Sequence, residues 1–125
     1  MDHLQEARRY LDNARTLLSE KAVKEDGLYQ DTKYVKLAGH AAYTGVLLAL
    51  DGLLGKKGKG RKDVDWYKER LAQMDRKALS RFMAAYDTLH LSMSYDGNPS
   101  AGVATAGLST AEAMLEWVET RTAAA

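Results

Sequence analysis

The stretch FMAAYDTLHLSMSYDG, residues 82–97, sets Tyr86, Asp87, His90 and Tyr95 among Phe82, Met83, Leu89 and Met93. On an α-helix, side chains three and four residues apart are neighbours, so Asp87 can reach His90 and His90 lies over Tyr86. A carboxylate beside an imidazole can orient a base or fix the tautomer of a metal-ligating histidine. His40 and Tyr43, in the apolar run upstream, could face the same place, which makes His40, Asp87 and His90 a conceivable three-ligand set. Di-iron bundles, however, carry two Glu-x-x-His pairs and two further carboxylates, whereas here a single Asp-x-x-His pair stands alone. The favoured reading is a buried polar layer, with Asp87 fixing the His90 tautomer and tyrosine hydroxyls reaching backbone carbonyls. No catalytic residue, metal ligand set or cofactor is assigned.

A second candidate is GKKGKGRK, residues 55–62, with Lys56, Lys57, Lys59, Arg61 and Lys62 among glycines. Gly55 and Gly60 have phosphate-loop spacing, but the Lys-Ser/Thr ending is missing and the segment follows a helix rather than a strand. What is left is a polyanion-binding loop that could hold a nucleic-acid backbone through counterion release, or a solvated loop. The latter is favoured, because no aromatic is interleaved with the cations and Trp66 and Tyr67 lie beyond them. The sequence holds no G-x-S-x-G, no H-E-x-x-H and no strand-borne G-x-G-x-x-G.

Four helices are expected to position these groups. Leu4, Ala7, Leu11, Ala14, Leu18 and Ala22 step by three and four, which predicts a helix over about 2–22. Gly27 marks a loop, and Asp31 can cap a second helix to about 54 that is apolar nearly all round and therefore central. Asp65 is expected to cap a third, about 65–95, with a kink or break near Asp75, a second potential cap. Gly97 stops it, and Asn98 with Pro99 predicts a fourth over about 99–122. The alternative start, Ser109 with Glu112 as a capping box, is weighed against this long helix. No segment alternates with period two for long enough to make a strand.

The totals fit one domain over 1–125. The chain has 125 residues, 46% hydrophobic and 28% charged, with formal net charge +1, so no global field draws it to nucleic acid or anionic lipid. It has no cysteine, which removes disulfides, thiolate metal sites and cysteine nucleophiles. MDHLQEARRYL lacks the apolar core of a signal peptide, and the run LAGHAAYTGVLLALDGLLG carries His40 and Asp51. A cytoplasmic protein is expected, without a membrane span.

The runs YVKLAGHAAYTGVLLALDGLLG, GRKDVDWY and AYDTLHLSMSYDGN resemble a small bacterial family of uncharacterised single-domain helical proteins, a domain of unknown function, over about residues 8–121. More distantly, the helix order and the Tyr95-Asp96 pair are similar to the HEPN superfamily of four-helix, usually dimeric domains. That likeness implies a helical dimer with the polar end of helix 3 near a shared cleft. The Arg-x4–6-His signature of HEPN ribonucleases is absent, since Arg81 lies too far from His90 and His40 has only Lys33 at a permitted distance.

The expectation is therefore an all-α, HEPN-like, four-helix up-and-down antiparallel bundle of unknown function. Its favoured role is a non-enzymatic interaction or binding module acting as a homodimer, with a protein partner conceivable. HEPN-like RNA binding or processing is the alternative, and a metal-dependent enzyme the third.

Overall fold

Asp2 opens the first helix with a capping box: its Oδ1 accepts the Gln5 N–H at 2.7 Å, and Gln5 Oε1 accepts the Asp2 N–H at 3.4 Å. Helix α1, His3–Thr16, buries Ala7, Leu11 and Ala14 and runs into one wider π turn, Leu17–Lys21, that buries Leu18. The computed structural model describes residues 2–55 and 62–124.

The loop expected around Gly27 is a small hairpin, so the expectation of no strand is corrected. Strands β1, Lys24–Glu25, and β2, Leu28–Tyr29, pair antiparallel. Asp26 and Gly27 both take positive φ, 52° and 77°, as a two-residue type I′ connection requires. Tyr29 N–H donates to Pro99 O at 2.8 Å and Ala101 N–H to Gly27 O at 2.9 Å, which clasps the hairpin to the start of the last helix.

Helix α2, Thr32–Leu54, is capped by Asp31 as expected and buries residues along its whole length, from Val35 to Leu54. It packs against α1, α5 and the second π segment, so it is central. Helix α3, Val64–Met74, is capped by Asp63, whose Oδ1 accepts the Trp66 N–H at 2.8 Å; Asp65 sits inside the first turn instead. At Asp75 the chain turns extended, and Asp75 caps α4, Arg76–Ala85, through Lys77 and Ala78 N–H. The expected break is thus complete, and the described residues hold five α-helices rather than four.

α4 continues as a two-turn π-helix, Tyr86–Tyr95. Gly97, at φ 64°, then donates its N–H to Met93 O. Helix α5, Ala101–Ala124, is long, but Asn98 is not its cap: Asn98 Oδ1 accepts the Ser100 N–H at 3.0 Å, and Ser100 Oγ accepts that of Val103 at 3.2 Å. The alternative start at Ser109 is excluded, because α5 passes through it and Glu112 is bonded to Arg8 and Arg15. The fold is all-α apart from the hairpin, around a core that includes Leu11, Leu50, Leu71, Phe82, Leu89, Met93, Met114 and Leu115.

Candidate functional site

The π segment rearranges the cluster that the sequence singles out. A turn closed by i→i+5 hydrogen bonds is wider than an α turn, so residues four and five apart come over one another and residues three apart diverge. Tyr86 and His90 rings lie 5.2 Å apart, and His90 and Tyr95 rings meet edge to face at 5.4 Å. From α2, Tyr43 stacks on His90 at 4.8 Å and meets Tyr86 edge-on at 6.1 Å. Tyr43, Tyr86, His90 and Tyr95 are therefore brought together as a ladder of rings. Asp87 does not join: it is exposed and makes no hydrogen bond to His90 among the described residues. His40 is exposed at the margin, close enough for its charge to act on His90.

The expected buried polar layer is corrected to an aromatic one at the edge of the core. Among the described residues no polar or charged residue is buried, and no buried side-chain polar atom lacks a partner. Burial pushes the Tyr43 hydroxyl well above its ordinary range, with Tyr86 adding to the effect. Burial, then the nearby His40, holds the His90 imidazole below its ordinary value. Two glycines allow the wide turn to be gripped from both sides. A Cβ on Gly39 would fall 2.6 Å from Leu89 O and 2.8 Å from Ser94 N, and one on Gly107 would meet Leu89 and Thr88 side chains at 2.8 Å.

Of the basic loop, Lys56, Lys57, Lys59 and Arg61 lie outside the described residues. Lys62 is committed to structure: Nζ bonds Asp51 Oδ1 at 2.9 Å and Gly55 O at 2.7 Å, and rests over the Trp66 ring. Tyr67 donates its hydroxyl to the same Asp51 oxygen at 2.7 Å. This knot ties the end of α2 to the start of α3. Sequence spacing gives no signal for it, because its members come from separate helices.

Helix α2 has a less buried side, on which Leu47 still packs against the core and Asp51 is held by Lys62 and Tyr67. Lys33, Leu37, His40, Thr44, Leu47 and Asp51 fall at alternating steps of four and three, and none of them is buried. Leu37 is 45% exposed. Between the end residues of that stripe, from Leu37 to Leu50, no Asp, Glu, Lys or Arg occurs on any side of the helix.

Residues 2–120 match the family described as Domain of unknown function (DUF5618). The chain belongs to this family. A solved structure described as a protein of unknown function from Dyadobacter fermentans is similar to the DUF5618 chain at 57% identity and TM-score 0.93, covering 95% of each chain. None of the curated proteins matches it.

Two further features of the DUF5618 chain escaped sequence reasoning. Glu112 bridges Arg8 at 3.1 Å and Arg15 at 3.0 Å, and is held below the usual carboxylate range first by Arg15, with Arg8 reinforcing it against burial. Asp75, besides capping α4, accepts the Trp117 Nε1–H at 3.0 Å. A groove of about 470 Å³ runs beside Arg15, Leu108, Glu112 and Glu116, away from the ring ladder. The recess beside Tyr86 and Asp87 is about 90 Å³, lined also by Val64, Lys68, Phe82 and Met83. Among the described residues no three His, Asp or Glu side chains converge as metal ligands would.

Proposed function

We propose that this chain is a non-enzymatic interaction module: a single-domain four-helix up-and-down bundle, with α3 and α4 acting as one interrupted helix, that pairs as a homodimer through the less buried stripe of α2. The observation that carries this reading is the charge-free run Leu37–Leu50 on a helix whose less buried side leaves Leu37 45% exposed. A solvated face normally carries charge, and an unpartnered apolar one marks a contact surface.

A second copy is the occupant that fits. The stripe Lys33, Leu37, His40, Thr44, Leu47, Asp51 has the 4-3 spacing of a helix-pairing seam, and its two charged ends are opposite in sign. Two antiparallel copies set Lys33 against Asp51 of the partner subunit, Leu37 against Leu47, and His40 against Thr44. Such a contact is self-complementary, as a two-fold interface must be. Asp51 has capacity for the pair, since Lys62 and Tyr67 both use Oδ1.

α2 is long and apolar enough to cross a membrane by length and composition, but half of its most apolar window is buried in the core, which supports its role as a central helix. The space beside the ring ladder falls short of the roughly 300–1,000 Å³ of small-molecule sites, which disfavours an enzyme there. The HEPN-like alternative would put RNA against the π segment, where Asp87 and Asp96 oppose a polyanion.

Sedimentation equilibrium tests the reading. The wild-type chain is expected to be a dimer at micromolar concentration, and Leu37→Glu a folded monomer with unchanged helical circular dichroism. A wild-type monomer, or a Leu37→Glu dimer of undiminished affinity, overturns it.

A further inference from the structure

Two adjoining grooves run along the side of the bundle where α1 and α5 meet, and none of their lining residues belongs to α2. The first, of about 470 Å³, is lined by Thr105, Ser109, Glu112 and Glu116 of α5, at steps of four and three, and by Arg15 of α1. The second, of about 370 Å³, shares Arg15 and Leu108 with it and continues to the π turn and the hairpin, where Leu18 and Tyr29 add apolar lining. We infer that this channel docks a short amphipathic helix of a partner protein, laid antiparallel to α5, with a cation in its first turn and a carboxylate in its last.

Both walls are flanks of helices, so the space between them has the shape that receives a third rod. The α5 wall from Thr105 to Glu116 is roughly 16 Å long, or three turns. Charge sets the direction. Lys24 stands at the hairpin end, which is clasped to the start of α5, and Glu116 stands at the other end. Both are exposed, and neither side chain makes a hydrogen bond or ion pair among the described residues. The charges between them are already matched: Glu112 holds Arg15 at 3.0 Å and Arg8 at 3.1 Å, and Arg15 also reaches Asp12. The two end charges therefore select the occupant. A helix is partially positive at its start and negative at its end, so its start belongs at Glu116 and its end at Lys24, and side chains of the same signs reinforce that order. The Arg15–Glu112 pair crosses from one wall to the other, so the residue passing over it has to be small, and apolar residues on the hairpin side of it cover Leu18, Tyr29 and Leu108. A small molecule fits less well, because among the described residues no buried polar side chain is left unpaired to orient it. A nucleic-acid backbone would meet Glu112 and Glu116.

Fluorescence anisotropy at low salt, where exposed ion pairs are least screened, tests the site on the full chain. The probe is a capped, alanine-rich peptide of about 16 residues with lysines in its first turn, leucines in its second half and glutamates in its last turn. A control peptide exchanges the lysines and glutamates. The control is the better helix in isolation, because its charges suit its own dipole, so a weaker complex with it does not reflect lost helicity. Wild type is expected to bind the probe saturably and at least about fivefold more tightly than the control. Lys24→Glu/Glu116→Lys is expected to reverse that preference, and Glu116→Lys alone, at an exposed helix position, to remove most of it, with helical circular dichroism retained in both. Absence of saturable binding overturns the docking site. Equal affinity of wild type for the two peptides overturns the charge assignment, and variants that keep the wild-type preference overturn its placement in this channel. A change in the sedimentation of Glu116→Lys without peptide makes a second copy the occupant and overturns the partner helix. Since no α2 residue lines the channel, these outcomes are separate from the fate of the α2-mediated dimer.

Discussion

Two tyrosines close to the same core lead to opposite expectations. Tyr67 donates a 2.7 Å hydrogen bond to the Asp51 carboxylate, which also holds Lys62, so Tyr67→Phe removes a hydrogen bond to a charged group in a partly buried place. A loss of about 1.5–3 kcal/mol in urea denaturation is expected. Tyr43 works through its ring, stacked on His90 and packed near Phe82, and its hydroxyl bonds nothing among the described residues. Tyr43→Phe should lie within about 0.5 kcal/mol of wild type, and Tyr43→Ala should cost about 3–5 kcal/mol. Carboxylates set the acid limit. Asp75, held low chiefly by Trp117, and Glu112, held low chiefly by Arg15, have folded values below their unfolded ones. Their contribution is complete above the unfolded carboxylate range and lost as pH falls through the folded values, so thermal stability should drop below about pH 4. His90, also depressed, acts in the same direction but starts earlier, below about pH 6.5. Asp75 was legible as a cap because a cap needs only its local sequence; its bond to Trp117 joins distant helices and left no local trace.

The segment Tyr86–Tyr95 shows how an element changes the meaning of spacing. On an α-helix Asp87 and His90 would be partners; in the π-helix Tyr86 and Tyr95 are, and the carboxylate turns out to solvent. The Tyr86–His90 spacing of four survives either geometry, whereas Tyr95, five residues on, meets His90 in the wider turn and the Asp-His pair at three misleads. The wide turn is accommodated where Gly39 of α2 and Gly107 of α5 press on it. The atoms they meet differ. A Cβ at Gly39 strikes backbone, which cannot give way without moving the helix, and one at Gly107 strikes side-chain ends. Gly39→Ala should therefore cost about 1–3 kcal/mol and speed hydrogen exchange across 86–95, with Gly107→Ala clearly milder by the same assay. The start signals moved by two residues for a related reason. Asp63 and Ser100 win over Asp65 and Asn98 because the neighbouring elements determine which residue of the approach is extended.

For the molecule as a whole, α2 is a core helix against α1, α5 and the π segment and carries a stripe on its less buried side that is uncharged between Lys33 and Asp51. If that stripe is covered by a second copy, folding and pairing are linked, and Tm should rise with protein concentration. Thermal melts over a hundredfold dilution check this, and a concentration-independent Tm would argue against a dimer that contributes to stability. Leu37→Glu should abolish the dependence while leaving the dilute-limit Tm nearly unchanged, because Leu37 lies outside the core.

Periodicity by itself determined the helical class, the central place of α2, the break at Asp75 and the long last helix, because apolar spacing and short capping residues are local and the core must form along them. It also singled out Tyr43, Tyr86, His90 and Tyr95, but as part of a polar layer with His40 and Asp87 rather than as a ladder of rings. What only the tertiary structure decided was the π geometry of Tyr86–Tyr95, the Asp51–Lys62–Tyr67 knot, the Arg8–Glu112–Arg15 bridge and the hairpin clasped to residues 99–101. Each depends on where another element's backbone or charge arrives, and residues distant in sequence carry no spacing that encodes their meeting.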